Sequence, residues 1–262
     1  MFANYHTHTY RCMHADGTDE DYIIKAIAEG VKVLGFSDHA PYLYPNGYVS
    51  NYKMPPENAP QYISALLLLR EKYRDKIDIR IGFEAEYYPL LWESTLEFWK
   101  KLGSVEYLIL GQHFTREEYP YELSVHAFSG IKEASHLKEY VSTVTEGIKT
   151  KKFTYIAHPD VANYMGTDLD LYREQMRHLV LAAKEYDTPL ELNLLGIAFE
   201  RNYPAPMFWE VASELSPRVI LGCDAHQPRR VADKDEILRA LRFADKYKLN
   251  VVDDVELINP FE

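Results

Sequence analysis

The chain has 262 residues, of which 47% are hydrophobic and 26% charged, and these proportions suit a single globular domain over residues 1–262. Its formal net charge of −11 argues against a nucleic-acid partner, because binding to nucleic acid generally needs a basic face. With two cysteines, no apolar run near the roughly 20 residues that span a bilayer and no secretion-signal layout, we expect a cytoplasmic protein without a membrane partner.

Short apolar runs alternate with longer amphipathic stretches, which is typical of a parallel sheet with crossover helices. The predicted strands are Phe2–His8, Val33–Ser37, Ile77–Phe83, Val105–Gly111, Phe153–Ala157, Pro189–Asn193 and Val219–Gly222. The predicted helices are Asp19–Glu29, Glu57–Tyr73, Glu93–Lys101, Lys132–Thr150, Asp170–Tyr186, Pro206–Leu215 and Lys234–Lys246. This alternation predicts an α/β fold, and seven units favour a closed or nearly closed barrel. No glycine-rich phosphate loop follows the first strand, which weighs against a nucleotide-binding sheet.

Histidine and carboxylate residues follow all but one of the predicted strands. His6 and His8 end the first strand, and residues two apart on a strand face the same side. A lone His-x-His motif is weak evidence for a metal site. The other strand ends carry Asp38-His39, Glu84 with Glu86, His113, His158, and Asp224 with His226. Because barrel enzymes place their chemistry at the carboxyl ends of their strands, the combined pattern predicts a metal centre there.

The predicted ligands identify the kind of metal. Imidazole and carboxylate groups with no required thiolate suit Zn, Mn or Fe rather than Mg or Ca alone. The candidates overfill one coordination sphere and predict two or three divalent ions. They are His6, His8, His14, His39, Glu84, His113, His158, Asp224 and His226.

The ordered motifs resemble those of a known family. They read His6-x-His8, His14-Ala15, Asp38-His39-Ala40-Pro41, Gly82-Phe83-Glu84, His113-Phe114, His158-Pro159-Asp160 and Asp224-Ala225-His226. In this order they resemble the PHP (polymerase and histidinol phosphatase) family over essentially the whole chain. Within that family, the runs at residues 38–41, 52–55 and 191–204 look most like the monofunctional histidinol-phosphate phosphatases. The resemblance implies a distorted (β/α)7 TIM-like barrel of PHP type with a trinuclear site.

The resemblance also implies how the ligands are shared. His6, His8, Glu84 and Asp224 would hold the first metal, and Glu84 would bridge to a second metal completed by His113 and His158. The third metal would be held by His14, His39 and His226, with Asp16 as a possible substitute for His14. Asp38 and Glu86 are predicted to orient ligand histidines from behind, although a capping or solvated role is an alternative.

The implied activity is hydrolysis of L-histidinol phosphate to L-histidinol and phosphate in histidine biosynthesis. We expect in-line attack by a hydroxide that bridges two metals, so no catalytic side chain is assigned beyond that hydroxide. The native metal, the proton donor and the oligomeric state stay open. Bound cations would also explain how so acidic a protein accepts a phosphate. Cys12 and Cys223 are expected to be packing residues.

The substrate contacts are harder to predict. The family pattern has a Gly-Leu-Arg-Lys-Pro run, whereas this chain reads Gly196-Ile-Ala-Phe-Glu-Arg201, so the usual arginine is absent at Ala198. Arg201, Arg116 and Lys53 are the candidate substrate-binding cations, and each is equally compatible with a surface role. His126, His136 and His178 are expected in loop or helix-surface positions.

Three other functions remain open. The same metals could serve another small phosphomonoester or a phosphotyrosyl protein. A non-catalytic module would be expected to lack ligands, and no ligand is missing. An amidohydrolase also begins with His-x-His but commonly bridges its metals with a carbamylated lysine, whereas Glu84 occupies that place here.

Overall fold

Over residues 1–120 and 124–262, which the computed structural model describes, eight parallel strands form one sheet in the order of the chain. Of Asn46 only the backbone is described. The strands are β1 (Ala3–Asn4), β2 (Val33–His39), β3 (Asp78–Ala85), β4 (Tyr107–Leu110), β5 (Tyr155–Ile156), β6 (Leu190–Asn193), β7 (Arg218–Gly222) and β8 (Asn250–Val252).

Helices connect the strands, as parallel pairing requires. They are α1 (Asp19–Ala28), α2 (Ala59–Tyr73), α3 (Trp92–Leu102), α4 (Ala134–Lys149), α5 (Leu169–Glu185), α6 (Leu194–Ala198), α7 (Pro206–Leu215) and α8 (Lys234–Tyr247). Local capping fixes several starts: Thr18 and Asp21 form a capping box on α1, and the Asp233 carboxylate accepts from the first turn of α8. Every predicted helix is present with ends shifted by a few residues, and the short helix α6 is additional.

The sheet curls until its first strand approaches its seventh. Beyond β1 the chain stays extended, and Thr7 forms an isolated parallel bridge with Ala225. The His8 amide donates to the Ala225 carbonyl at 3.0 Å, and the Ala225 amide donates to the His6 carbonyl at 3.2 Å. This closure at the carboxyl ends of the strands confirms the predicted distorted α/β barrel. The eighth strand was not predicted, because Asn250–Val252 is too short to give a sequence pattern.

Two buried clusters support the carboxyl-end face. The larger packs the outer side of the sheet against the helices and includes Trp99 and Trp209. The smaller consists mainly of strand residues such as Tyr107, Tyr155 and Ile220, which alternate with the outward-facing positions. Within the described residues, no helix combines the length and the apolar character needed to cross a membrane.

Candidate metal centre

The carboxyl ends of the strands gather all the predicted ligands. His6, His8 and His14 follow β1, His39 ends β2, and Glu84 lies near the end of β3. The others follow β4 (His113), β5 (His158) and β7 (Asp224 and His226). We call the set in which every member is buried the deep cluster, and the set that joins the buried His39 to the exposed His14 and the half-buried His226 the rim cluster. The deep cluster is His6, His8, Glu84, His158 and Asp224, and the rim cluster is His14, His39 and His226. His113, which is half-buried, lies beside the deep cluster.

Glu84 is shared between histidines on two sides. Its Oε2 atom lies 2.9 Å from His39 Nδ1 and 3.6 Å from His6 Nε2. Its Oε1 atom lies 2.8 Å from His158 Nε2 and 3.7 Å from His113 Nε2. Burial opposes the charged carboxylate, yet these histidines hold the pKa of Glu84 well below its usual range. Each oxygen faces a different set of histidines, which is the arrangement a carboxylate needs to bridge two cations.

Asp224 joins the deep cluster to the rim. Its Oδ1 atom lies 3.1 Å from His8 Nε2, 3.5 Å from His6 Nε2 and 3.3 Å from His226 Nδ1. The Asn193 side-chain amide donates to the other oxygen at 3.1 Å. Asp224 holds a backbone φ of 49°, a left-handed conformation that ordinary residues rarely adopt. Such strain clusters at functional sites, where the surrounding structure enforces it.

The deep cluster contains buried polar atoms that the described residues leave without a hydrogen-bond partner. They include His6 Nε2, His8 Nε2 and Glu84 Oε2. An unsatisfied buried polar atom costs about 1–3 kcal/mol, so these atoms call for a further partner. Burial disfavours the charged imidazolium of His6, but Glu191, Asp224 and Glu84 raise its pKa to about 10. The cluster therefore attracts positive charge. A divalent cation would supply that charge and would also give the unpaired buried atoms a partner.

The rim cluster fits a cation for a different reason. His14 Nε2 and His226 Nε2 lie 3.0 Å apart, facing each other. Both Nδ1 atoms donate to backbone carbonyls, His14 to Cys12 at 2.8 Å and His226 to Asp224 at 3.0 Å. The facing Nε2 atoms then carry lone pairs and no proton. Burial, aided by protonated His8, lowers the pKa of His226 to about 3, which keeps the ring available as a ligand.

Carboxylates lie behind two of the candidate ligands. Glu86 accepts from His113 Nδ1 at 3.0 Å, and Asp38 Oδ1 lies 3.5 Å from His8 Nδ1. The orienting role of Glu86 and Asp38 stays a prediction, which the hydrogen bond from His113 to Glu86 supports. When such a partner holds the proton on Nδ1, Nε2 is left free for a cation.

Glu191 is a third such carboxylate; the sequence placed it in a run that resembles the family but gave it no role. Its Oε1 lies 2.8 Å from His6 Nδ1, and its Oε2 accepts from the His158 amide at 2.9 Å and from Asn193 Nδ2 at 2.9 Å. A Cβ atom at Gly222 would overlap the Glu191 carboxylate, so glycine there makes room for it. The available signal was its position two residues before Asn193 on β6, the one strand end without a predicted ligand.

The three predicted substrate cations lie in different surroundings. Arg201 lines the cavity above the ligands and donates to the Tyr203 hydroxyl at 2.9 Å. Arg116 is exposed and lies outside the described lining of that cavity. Lys53 is buried, forms an ion pair with Glu86, and lies 3.6 Å from Glu118 Oε2. Lys53 is therefore placed to hold Glu86, which in turn holds His113, rather than to meet a substrate in the cavity.

The cavity has a volume of about 410 Å³, which is within the range of small-molecule sites. Its floor is formed by the rim cluster together with Glu84, His158 and Asp224 of the deep cluster, whereas His6 and His8 lie outside the described lining. The lining also includes His126 and Arg230, which sequence reasoning did not place there. His136 lies on α4 and His178 on the exposed side of α5, as expected. The fold and the floor together define a metal-binding α/β barrel with an open site for a small ligand.

Comparison with known proteins identifies the family. Residues 4–194 match the PHP domain, and the chain belongs to the PHP family. A probable histidinol-phosphatase from Deinococcus radiodurans is 29% identical over 255 residues, covering 93% of this chain and 90% of that protein. The predicted family is thereby confirmed.

Solved structures show the same fold. The histidinol phosphate phosphatase from Lactococcus lactis, solved with zinc, L-histidinol and phosphate, superposes with a TM-score of 0.69 at 19% identity, covering 100% of this chain and 98% of that chain. A structure from work on YwqE from Bacillus subtilis and CpsB from Streptococcus pneumoniae, described as metal-dependent tyrosine phosphatases, gives a TM-score of 0.52 at 15% identity. That match covers 100% of both chains.

Proposed function

We propose that this protein is a metal-dependent phosphomonoesterase that hydrolyses L-histidinol phosphate to L-histidinol and phosphate. The observation that carries the proposal is the Glu84 carboxylate, whose two oxygens face separate sets of histidines on the floor of the cavity. The relative from Deinococcus radiodurans and the Lactococcus lactis structure, each named for this activity, support the choice of substrate.

The proposed cofactor is a cluster of two or three divalent ions of zinc, manganese or iron. When bound, such ions supply the positive charge and the activated water that phosphoester hydrolysis needs. The orphaned buried atoms of the deep cluster and the facing nitrogens of the rim cluster support this assignment. The proposed ligands are His6, His8, His14, His39, Glu84, His113, His158, Asp224 and His226.

The side chains around the ligands have proposed roles of their own. Glu191 and Glu86 fix the tautomers of His6 and His113 through hydrogen bonds to Nδ1. Arg201 is the proposed contact for the phosphate, because it lines the cavity and its described hydrogen-bond partner is the Tyr203 hydroxyl rather than a carboxylate. We assign Lys53 to the support of Glu86.

We also infer that residues 1–262 act as one domain in the cytoplasm, in histidine biosynthesis. The single continuous sheet and the two relatives support this setting. The substrate is a small molecule, and the oligomeric state is left open.

A phosphotyrosyl protein is the second candidate substrate. It is favoured by the TM-score of 0.52 to a tyrosine phosphatase and by the aromatic side chains at the mouth of the cavity.

Steady-state kinetics separate the two candidates. The metal-loaded protein is assayed with L-histidinol phosphate, a phosphotyrosyl peptide and glycerol phosphate as a generic phosphomonoester. The proposal predicts that kcat/KM is highest for L-histidinol phosphate by at least about tenfold, a ratio within reach of a shaped pocket. An equal or higher kcat/KM for the peptide or for glycerol phosphate would overturn the choice of substrate.

A further inference from the structure

Two phenylalanines are exposed at the mouth of the cavity. Phe128 is 37% exposed and Phe199 is 53% exposed, and both line the cavity that contains the ligands. The Phe128 ring lies 6.3 Å from the Tyr203 ring, and Tyr203 lies 5.9 Å from the His158 ring. The rings of Phe128, Tyr203 and His158 thus lead from the mouth to the deep cluster, and Phe199 lines the same cavity. Exposed apolar side chains beside a concave polar site indicate contact with a ligand.

Phe199 packs against the guanidinium group of an arginine. The Arg230 guanidinium lies over the Phe199 ring, 4.5 Å from its centroid, and Arg230 forms an ion pair with the buried Glu236 of α8. The Arg201 guanidinium lies farther away, 5.8 Å from the same centroid. Because Arg230 is paired with Glu236, its charge is already balanced, and its flat group serves to support the ring.

The two arginines of the cavity therefore have different uses. Arg201 retains donors for an anion, whereas Arg230 and Glu236 brace the Phe199 side chain. Phe199 and Arg201 both lie in the Gly196–Arg201 run, where this chain departs from the family pattern. This difference from the family pattern thus places the Phe199 ring and the Arg201 guanidinium at the mouth of the cavity.

We propose that Phe199 is a specificity-determining residue that stacks against a planar ring on the leaving group of the substrate, with Arg230 as its positioning residue. This inference rests on the proposed phosphomonoesterase function. A phosphate held between the floor and Arg201 leaves the alcohol part of the ester to extend along the aromatic side chains that line the cavity. An aromatic ring on that part stacks on Phe199 in an offset or edge-on arrangement, and an aliphatic group lacks this contact.

The test uses three phosphate esters with matched chemistry. L-Histidinol phosphate, L-phenylalaninol phosphate and L-alaninol phosphate all release a primary alkoxide beside an ammonium group, and they differ in the ring. The proposal predicts that both ring-bearing esters exceed L-alaninol phosphate in kcat/KM by about tenfold or more, the usual range for one apolar contact.

Variants assign that preference to one side chain. Phe199→Ala is expected to lower kcat/KM for the two ring-bearing esters by about tenfold more than for L-alaninol phosphate. Arg230→Gln is expected to weaken the preference less, mainly through a higher KM, because the ring remains but loses its support. Phe2→Leu is the matched control, since Phe2 is 46% exposed but lies beside β1, outside the described lining of the cavity.

The outcomes separate this inference from the function on which it rests. If the wild-type protein hydrolyses all three esters equally and Phe199→Ala changes their rates equally, the stacking role is wrong while the phosphomonoesterase function stands. If none of the three esters is hydrolysed by the metal-loaded protein, the proposed function itself fails. A shift of preference in Phe2→Leu as large as in Phe199→Ala would also overturn the assignment.

Discussion

The deep and rim clusters bring histidines together by different means. In the deep cluster, His6 is fully buried and Glu191 fixes its Nδ1. In the rim cluster, His14 is exposed, and backbone carbonyls accept from the Nδ1 atoms of His14 and His226. Buried ligands with carboxylate partners are preorganised, whereas an exposed ligand on a loop must be ordered when the ion binds. The comparison indicates that ions bind more tightly in the deep cluster than at the rim.

Glu84→Gln should have the largest effect, because it removes the carboxylate that faces both sets of histidines while keeping its volume. We expect phosphate release to fall by at least about 100-fold, more than replacing an outer partner usually costs. The metal content per chain, measured by elemental analysis, should fall with it. A variant that kept both its metal and its activity would show that Glu84 is not a shared ligand.

Glu191→Gln tests whether the buried carboxylates preorganise the deep cluster. We expect metal affinity or activity to fall by about 10–100-fold with the fold intact, because an amide cannot satisfy His6, His158 and Asn193 as a carboxylate does. Metal titration and circular dichroism measure the two properties. Glu71→Gln, at a site whose side chain is 71% exposed, is the matched control and should change neither.

His14→Ala tests whether the rim cluster binds an ion of its own. We expect the loss of about one ion per chain and a fall in activity of about tenfold, smaller than for Glu84→Gln because the deep cluster stays complete. Asp16→Asn is the comparison variant, because Asp16 is the alternative ligand in this loop. Its carboxylate accepts from Gln227 Nε2 at 3.2 Å, and we expect little change. A larger loss of metal in Asp16→Asn than in His14→Ala would reverse this assignment.

His178→Ala should have the smallest effect. His178 lies on the exposed side of α5, away from the described lining of the cavity. Surface substitutions of this kind usually change stability by no more than about 0.5 kcal/mol. Activity and metal content equal to those of the wild type would show that losses in the other histidine variants belong to the clusters.

The sequence predicts the fold and the cluster well because both follow from the same rule. Parallel strands with crossover helices bring their carboxyl ends to one face, so ligands distant in the chain could be grouped before any coordinates were known. His6, Glu84 and Asp224 come together in this way. The short elements β8 and α6 escaped prediction because three and five residues carry too little periodicity.

The surroundings of the site depend on tertiary contacts that the sequence does not display. Lys53 reads as an ordinary surface cation until the segment after β2 packs against Glu86 and Glu118 and buries it. Arg230 gives no sign of its role until Glu236 and Phe199 enclose it. The candidate ligands can be predicted because they lie at the ends of strands. The roles of Lys53 and Arg230 cannot, because they depend on how the loops pack.

Metal removal and return tests the central claim most directly. The protein is stripped with a chelator, checked by elemental analysis, and assayed for phosphate release from L-histidinol phosphate before and after adding zinc, manganese or iron(II). We predict that the stripped protein loses nearly all of its activity and that at least one of these ions restores it. Equal hydrolysis by the metal-free and the reconstituted protein would contradict the account.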